Sequence, residues 1–149
     1  MQGRRVLAFR SWGKHFLIDF GEFAMRVHFM LFGSYRINDP KEAAPRMRLE
    51  FGKAGAIDFY ACSLKYIEGD LDEAYDWSAD VMSDAWDPKA ARRKLARKPG
   101  TMVCDALLDQ DVFAGVGNII KNEALFRILV QPESEVGALP PRKLSAMIE

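Results

Sequence analysis

Hydrophobic and polar residues alternate with a period of two along the first half of the chain. Phe23, Met25, Val27 and Phe29 alternate with Ala24, Arg26, His28 and Met30, and Phe16, Ile18 and Phe20 do so against His15, Leu17 and Asp19. Successive side chains of a strand point to opposite faces, so this spacing predicts β-strands. Gly21-Glu22 between the two runs predicts a tight hairpin. Shorter β-like runs cover residues 6–10, 46–51, 56–61 and 63–67, punctuated by Asn38-Asp39-Pro40 and Gly52-Lys53-Ala54-Gly55. Many short strands at close spacing predict an antiparallel sandwich or barrel.

The second half changes period. Asp87-Pro88 reads as an N-cap followed by proline at the first helical position, predicting a helix over 89–98 that Pro99-Gly100 ends. Thr101 is expected to cap a helix over 102–108, and Asn118 one over 119–129. Leu139-Pro140-Pro141 opens a last helix running to Glu149. The fold class expected is therefore α+β: a partial antiparallel β-sandwich over residues 1–77, then a helical domain over 78–149, with the acidic stretch 68–84 at the boundary.

Composition adds limits. The chain has 149 residues, 49% of them hydrophobic and 28% charged, enough to bury a core and stay dispersed in water. Its formal net charge is +0, whereas a nucleic-acid binder is usually basic. The sum hides a local asymmetry. Seven carboxylates and no Lys or Arg lie between Glu68 and Asp84, and residues 89–98 hold six basic residues and no acid. That run is either a basic docking face or an ordinary solvated helix face. Cys62 and Cys104 are too far apart for zinc-ligand spacing and form no disulfide framework, so both are expected to be buried free thiols in a reducing compartment. No apolar run approaches the roughly 18 residues a membrane span needs. Arg4, Arg5 and Arg10 interrupt the first apolar stretch, against a signal peptide. The expectation is a cytoplasmic protein of bacterial type.

Three segments carry candidate chemistry. Gly115 and Gly117 bracket Val116 just before a predicted helix that Asn118 opens. Glycines there let the backbone approach a phosphate, and exposed N–H groups at a helix start attract anions. Alone, the pattern fits a plain structural turn equally well. Lys14 follows Gly13 in the run Ser11-Trp12-Gly13-Lys14-His15 and is either a functional amine or an ordinary exposed lysine. Met30, Leu31 and Phe32 are three consecutive bulky residues before Gly33. They cannot all face one core from a strand, so at least one points outward, unless all three sit in the core at a bend. An outward apolar tip suits a wedge that fills the hole left by a flipped base.

Taken whole, residues 107–132 (LLDQDVFAGVGNIIKNEALFRILVQP) resemble the helix–two-turn–helix element of the formamidopyrimidine-DNA glycosylase and endonuclease VIII family. Asp109, Gln110, Glu123 and Pro132 also match that pattern. The resemblance implies that Gly115, Gly117 and Asn118 grip phosphates beside a damaged nucleotide, and that Glu123 is a buried supporting acid near the site. It makes Lys14 the lysine pointing at the lesion, a catalytic participant in elimination, and His28 a phosphate contact. Met30, Leu31 and Phe32 become void-filling side chains, with Leu31 the first choice for the wedge. Residues 58–63 lack the Arg-Arg-Phe-Gly loop of the formamidopyrimidine branch, which favours the endonuclease VIII branch and oxidised pyrimidines. The implied function is base-excision repair by a bifunctional DNA glycosylase and abasic-site lyase acting on double-stranded damaged DNA as a monomer. The alternative is a non-catalytic module that binds damaged DNA. A helix–two-turn–helix scaffold of ribosomal or topoisomerase type is disfavoured by the β-rich first half with Lys14 and His28 in place.

The sequence also departs from the family. The nucleophile there is the amine of an N-terminal proline followed by glutamate, which forms a Schiff base with the sugar. This chain starts Met1-Gln2-Gly3. The expectation is that the segment bearing that proline, and the C-terminal zinc finger or its zincless equivalent, lie outside these residues. No cofactor is then expected here, zinc belonging only to the missing part, and the chain by itself is expected to be catalytically inert or nearly so.

Overall fold

The computed structural model of the protein describes residues 2–149, Met1 lying outside them. The chain divides into two compact units, one ending at Ala74 and the other running Tyr75–Glu149.

In the first unit, β1 (Ala8–Trp12), β2 (His15–Asp19) and β3 (Phe23–His28) form an antiparallel meander, and β4 (Ser34–Ile37), β5 (Met47–Glu50), β6 (Ala56–Tyr60) and β7 (Ser63–Glu68) follow. One sheet has the order β1-β2-β3-β7 and the other β4-β6-β5. Register in the larger sheet pairs Phe16 with Val27 and Val27 with Leu64, so the predicted period-two faces align across strands. Ile18 and Val27 of this sheet pack against Phe59 of the other, with Met25, Ile57, Met47 and Leu49 around them. Burying each such side chain is worth about 1.5–3 kcal/mol, and this shared face turns the two sheets into the expected sandwich. The β2–β3 turn closes with the Phe20 N–H on the Phe23 carbonyl at 3.0 Å and the Gly21 N–H on Asp19 Oδ1 at 2.7 Å. A one-turn helix, α1 (Leu71–Ala74), ends the unit.

Strand β1 starts two residues later than the pattern predicts, although Leu7 already donates to the Asp19 carbonyl. Strand β4 was not predictable from alternation: Tyr35, Arg36 and Ile37 are all exposed, so no in–out pattern marks it.

The second unit holds α2 (Pro88–Ala96), α3 (Val103–Ala106), α4 (Asn118–Ile128) and α5 (Pro141–Ile148). Asp87 caps α2 as predicted, accepting the Lys89 N–H at 2.8 Å with Pro88 in the first turn. The core gathers Leu95, Val103, Leu107, Val112, Phe113, Val116, Leu125, Val136 and Met147. Two caps differ from expectation. Met102, not Thr101, precedes a shorter α3, and no side chain caps it. Gly117 is the N-cap of α4, which leaves Asn118 as its first helical residue.

Candidate nucleic-acid interface

In the first unit, the end row of the larger sheet pairs Trp12 with His15, His15 with His28, and His28 with Ser63. Just beyond this row lie Lys14, in the β1–β2 turn, and the segment Met30–Gly33 that follows His28. Strand register alone thus places Lys14, His28 and the three bulky residues at one end of one sheet. Met30, Leu31 and Phe32 are 64%, 83% and 82% exposed, so they are not core residues at a bend. The backbone turns outward at Met30, whose φ is 54°, a left-handed conformation that costs a non-glycine residue about 1–2 kcal/mol. Gly33 completes the turn, because a Cβ there would lie 1.9 Å from the Phe29 carbonyl oxygen.

His15 faces His28 edge to face, ring centroids 5.5 Å apart, and stacks obliquely on Trp12 at the same separation. Burial, then the charges of Arg26, His28, Lys14 and Lys65, lower its pKa to about 4. The neutral imidazole is therefore the form present at pH 7, beside the cations Arg26, Lys14 and Lys65. Sequence reasoning took His15 only as a strand residue.

In the second unit the segment between α3 and α4 makes two successive turns. The Val112 and Phe113 N–H groups both return to the Asp109 carbonyl, and the Val116 N–H returns to Phe113 at 3.1 Å. Gly115 has φ 99°, a conformation that favours glycine. The first bond within α4 runs from the Lys121 N–H to the Gly117 carbonyl at 2.9 Å, and no side chain caps the helix. Its leading N–H groups are thus without helical partners, the arrangement that accepts an anion. Asn118 is exposed there, its Oδ1 accepting Lys121 Nζ at 3.2 Å.

Two expectations need correction. Glu123 is not buried: its side chain is 57% exposed on α4 and pairs with Arg127 one turn on, at 2.7 Å. Leu125, not Glu123, is the α4 residue that enters the core. Cys104 is only half-buried, whereas Cys62 is buried as expected, and both thiols are free. In the basic run over 89–98, three of the six cations pair inside their own unit: Lys94 with Asp76 at 2.7 Å, Lys98 with Asp109 at 2.8 Å and Arg93 with Asp87 at 3.3 Å.

Among the described residues no cluster of three or more His, Cys, Asp or Glu could hold a metal ion. No helix among them is long and apolar enough to cross a membrane.

The architecture is shared with solved DNA glycosylases. A Lactococcus lactis formamidopyrimidine-DNA glycosylase, solved non-covalently bound to DNA containing an AP site, superposes with a TM-score of 0.81 at 22% identity, over 98% of this chain and 60% of that one. A viral DNA glycosylase superposes with a TM-score of 0.79 at 16% identity, over 95% and 63%. These likenesses define the fold. Residues 78–149 match the formamidopyrimidine-DNA glycosylase H2TH domain. The DNA-(apurinic or apyrimidinic site) lyase Nei2 of Mycolicibacterium smegmatis is 35% identical over 133 residues, 87% of this chain and 53% of that protein. Endonuclease 8-like 2 of Bos taurus is 33% identical over 137 residues, 84% and 40% respectively. The chain belongs to the formamidopyrimidine-DNA glycosylase and endonuclease VIII family, and it spans about half the length of the curated relatives it matches.

Proposed function

We propose that the protein acts in base-excision repair as a DNA glycosylase and abasic-site lyase for oxidised bases, of the endonuclease VIII type, and that residues 2–149 supply the grip on the damaged strand. The observation that carries this reading is the 35% identity to an abasic-site lyase over 87% of the chain. In the reading, Gly115, Gly117, Asn118 and the leading N–H groups of α4 hold a phosphate, and His28 and Lys14 contact the sugar–phosphate backbone at the lesion. Leu31, flanked by Met30 and Phe32, enters the stack where the base has left. An apolar side chain gains by that insertion because it leaves water, and an abasic gap requires no unstacking first. Lys14 adds a cation where a phosphate leaving group develops charge, which favours elimination. The partner is double-stranded damaged DNA, bound by a monomer in the cytoplasm, with no metal required by these residues.

Fluorescence anisotropy of the 149-residue chain on a duplex with one tetrahydrofuran abasic analogue, against the intact duplex, tests the reading. The expected result is at least about tenfold tighter binding to the abasic duplex, weakening as salt rises. Equal affinity for both duplexes defeats it. Borohydride trapping on a true abasic duplex addresses the alternative, a module that binds without cutting. A covalent adduct would identify an amine among these residues as nucleophile, and absence of the adduct with tight binding would assign them the grip alone.

A further inference from the structure

Three hydrogen bonds converge on one side chain beside the glycine-lined loop. Gln110 Nε2 donates to the Val116 carbonyl at 3.0 Å and to the Leu108 carbonyl at 2.9 Å, and Gln110 Oε1 accepts the Gly115 N–H at 3.1 Å. The amide orientation is fixed by its partners, since carbonyls need a donor and an N–H needs an acceptor. Only a primary amide of this length does both. Glutamate keeps the acceptor and loses both donors, and asparagine is one methylene shorter.

The rest of the loop is anchored from its other side. The Ala114 N–H donates to the Ala79 carbonyl at 2.8 Å, and the Val81 N–H donates back to Ala114 at 3.3 Å. The Val116 side chain is buried in the unit's core. Gly115 and Val116 are thus fixed by the Ala114 bridge, by the core and by Gln110. Gly117 and Asn118 follow directly, and their N–H groups open α4. With φ 99° at Gly115, the direction of those groups depends on how that glycine is held, because glycine sets no preference of its own.

We propose that Gln110 is a positioning residue of the phosphate grip: its amide locks Gly115 and Val116 so that the start of α4 presents its N–H groups and Asn118 in the orientation an anion requires. This rests on the reading of the Gly115–Asn118 loop given under Proposed function. Gln110 touches no DNA and acts through the backbone.

The test uses the 149-residue chain with Gln110→Ala, Gln110→Glu, Asn118→Ala and the double variant Gln110→Ala with Asn118→Ala. The readouts are amide hydrogen exchange by NMR, thermal midpoint and affinity for the abasic-analogue duplex. The Gly115 amide is expected to lose its exchange protection in Gln110→Ala and to keep it in Gln110→Glu, which retains the acceptor. Both variants are expected to lose about tenfold or more in affinity. Asn118→Ala should cost far less in the Gln110→Ala background than alone, because its partner surface is already misoriented. Unchanged Gly115 protection in Gln110→Ala overturns the inference whether or not DNA binds. So does strict additivity of the two substitutions, which would leave Gln110 a general stabiliser. Failure of the unsubstituted chain to prefer the abasic duplex overturns the functional reading alone, since the exchange of Gly115 still reports whether Gln110 sets the loop.

Discussion

Two single residues at the candidate site can be followed individually. His15 and His28 are the only histidines, so proton NMR of the imidazole carbons gives two resolvable signals. The His15 signal should titrate with a midpoint about 4, because burial and then Arg26, His28, Lys14 and Lys65 disfavour its charged form. The folded state holds this proton less tightly than the unfolded chain, where the value is the ordinary 6.5. Stability from this group is therefore complete above about pH 6.5 and is lost as pH falls from there through 4. Urea midpoints of the chain and of His15→Phe should converge at neutral pH and separate in acid, the variant being the less acid-sensitive. Leu31 makes a different prediction. At 83% exposure it contributes little to folding, so Leu31→Ala should leave the thermal midpoint nearly unchanged. Affinity for the abasic duplex should drop roughly tenfold with intact-duplex binding preserved, an expected loss of about 1–2 kcal/mol for an inserted apolar side chain. Equal losses on both duplexes would remove the wedge role.

Whole elements explain what was legible in the sequence. Strands β2 and β3 and the cap of α2 could be read directly, because alternation and the Asp87-Pro88 pair are local rules that tertiary packing here reinforces. Strand β4 could not, since it lies exposed at a sheet edge and its residues carry no alternation. Asn118 was read as a cap by residue type, yet Gly117 takes that place with an extended backbone, and the Asn118 amide oxygen accepts from Lys121 instead. Glu123 was placed inside by resemblance, and the helix phase puts it on the outer face of α4 with Arg127. Lys14, His28 and the apolar tip were all named from sequence, whereas Gln110 was matched to the family pattern without a role and His15 was read only as a strand residue, because their hydrogen bonds and ring contacts are encoded by no spacing rule. Packing of α2 supplies the prediction at this scale. Leu95 is 2% exposed in the helical core, so Leu95→Ala should cost about 2–5 kcal/mol. Trp86 packs on the same cluster, and its fluorescence during guanidinium unfolding measures that loss.

For the molecule as a whole, a formal net charge of +0 means that attraction to DNA cannot come from overall charge. In the proposed function it has to come from a few well-placed cations, so the dependence of affinity on salt is expected to be shallow. Removing the backbone contact proposed for Lys14 should then be visible: Lys14→Ala is expected to reduce the slope of log affinity against log salt by about 1. A slope unchanged in that variant would take Lys14 off the backbone of the duplex. The pairing of α2 with the acidic segment has a practical corollary. At neutral pH Lys94 is masked by Asp76, whose carboxyl the Lys94 and Ser78 hydrogen bonds hold below the usual range. A heparin column would therefore retain the protein less than a count of its lysines and arginines suggests. Neutralising Asp76 with asparagine would unmask Lys94 and delay elution, giving the surface a cation that any polyanion can use.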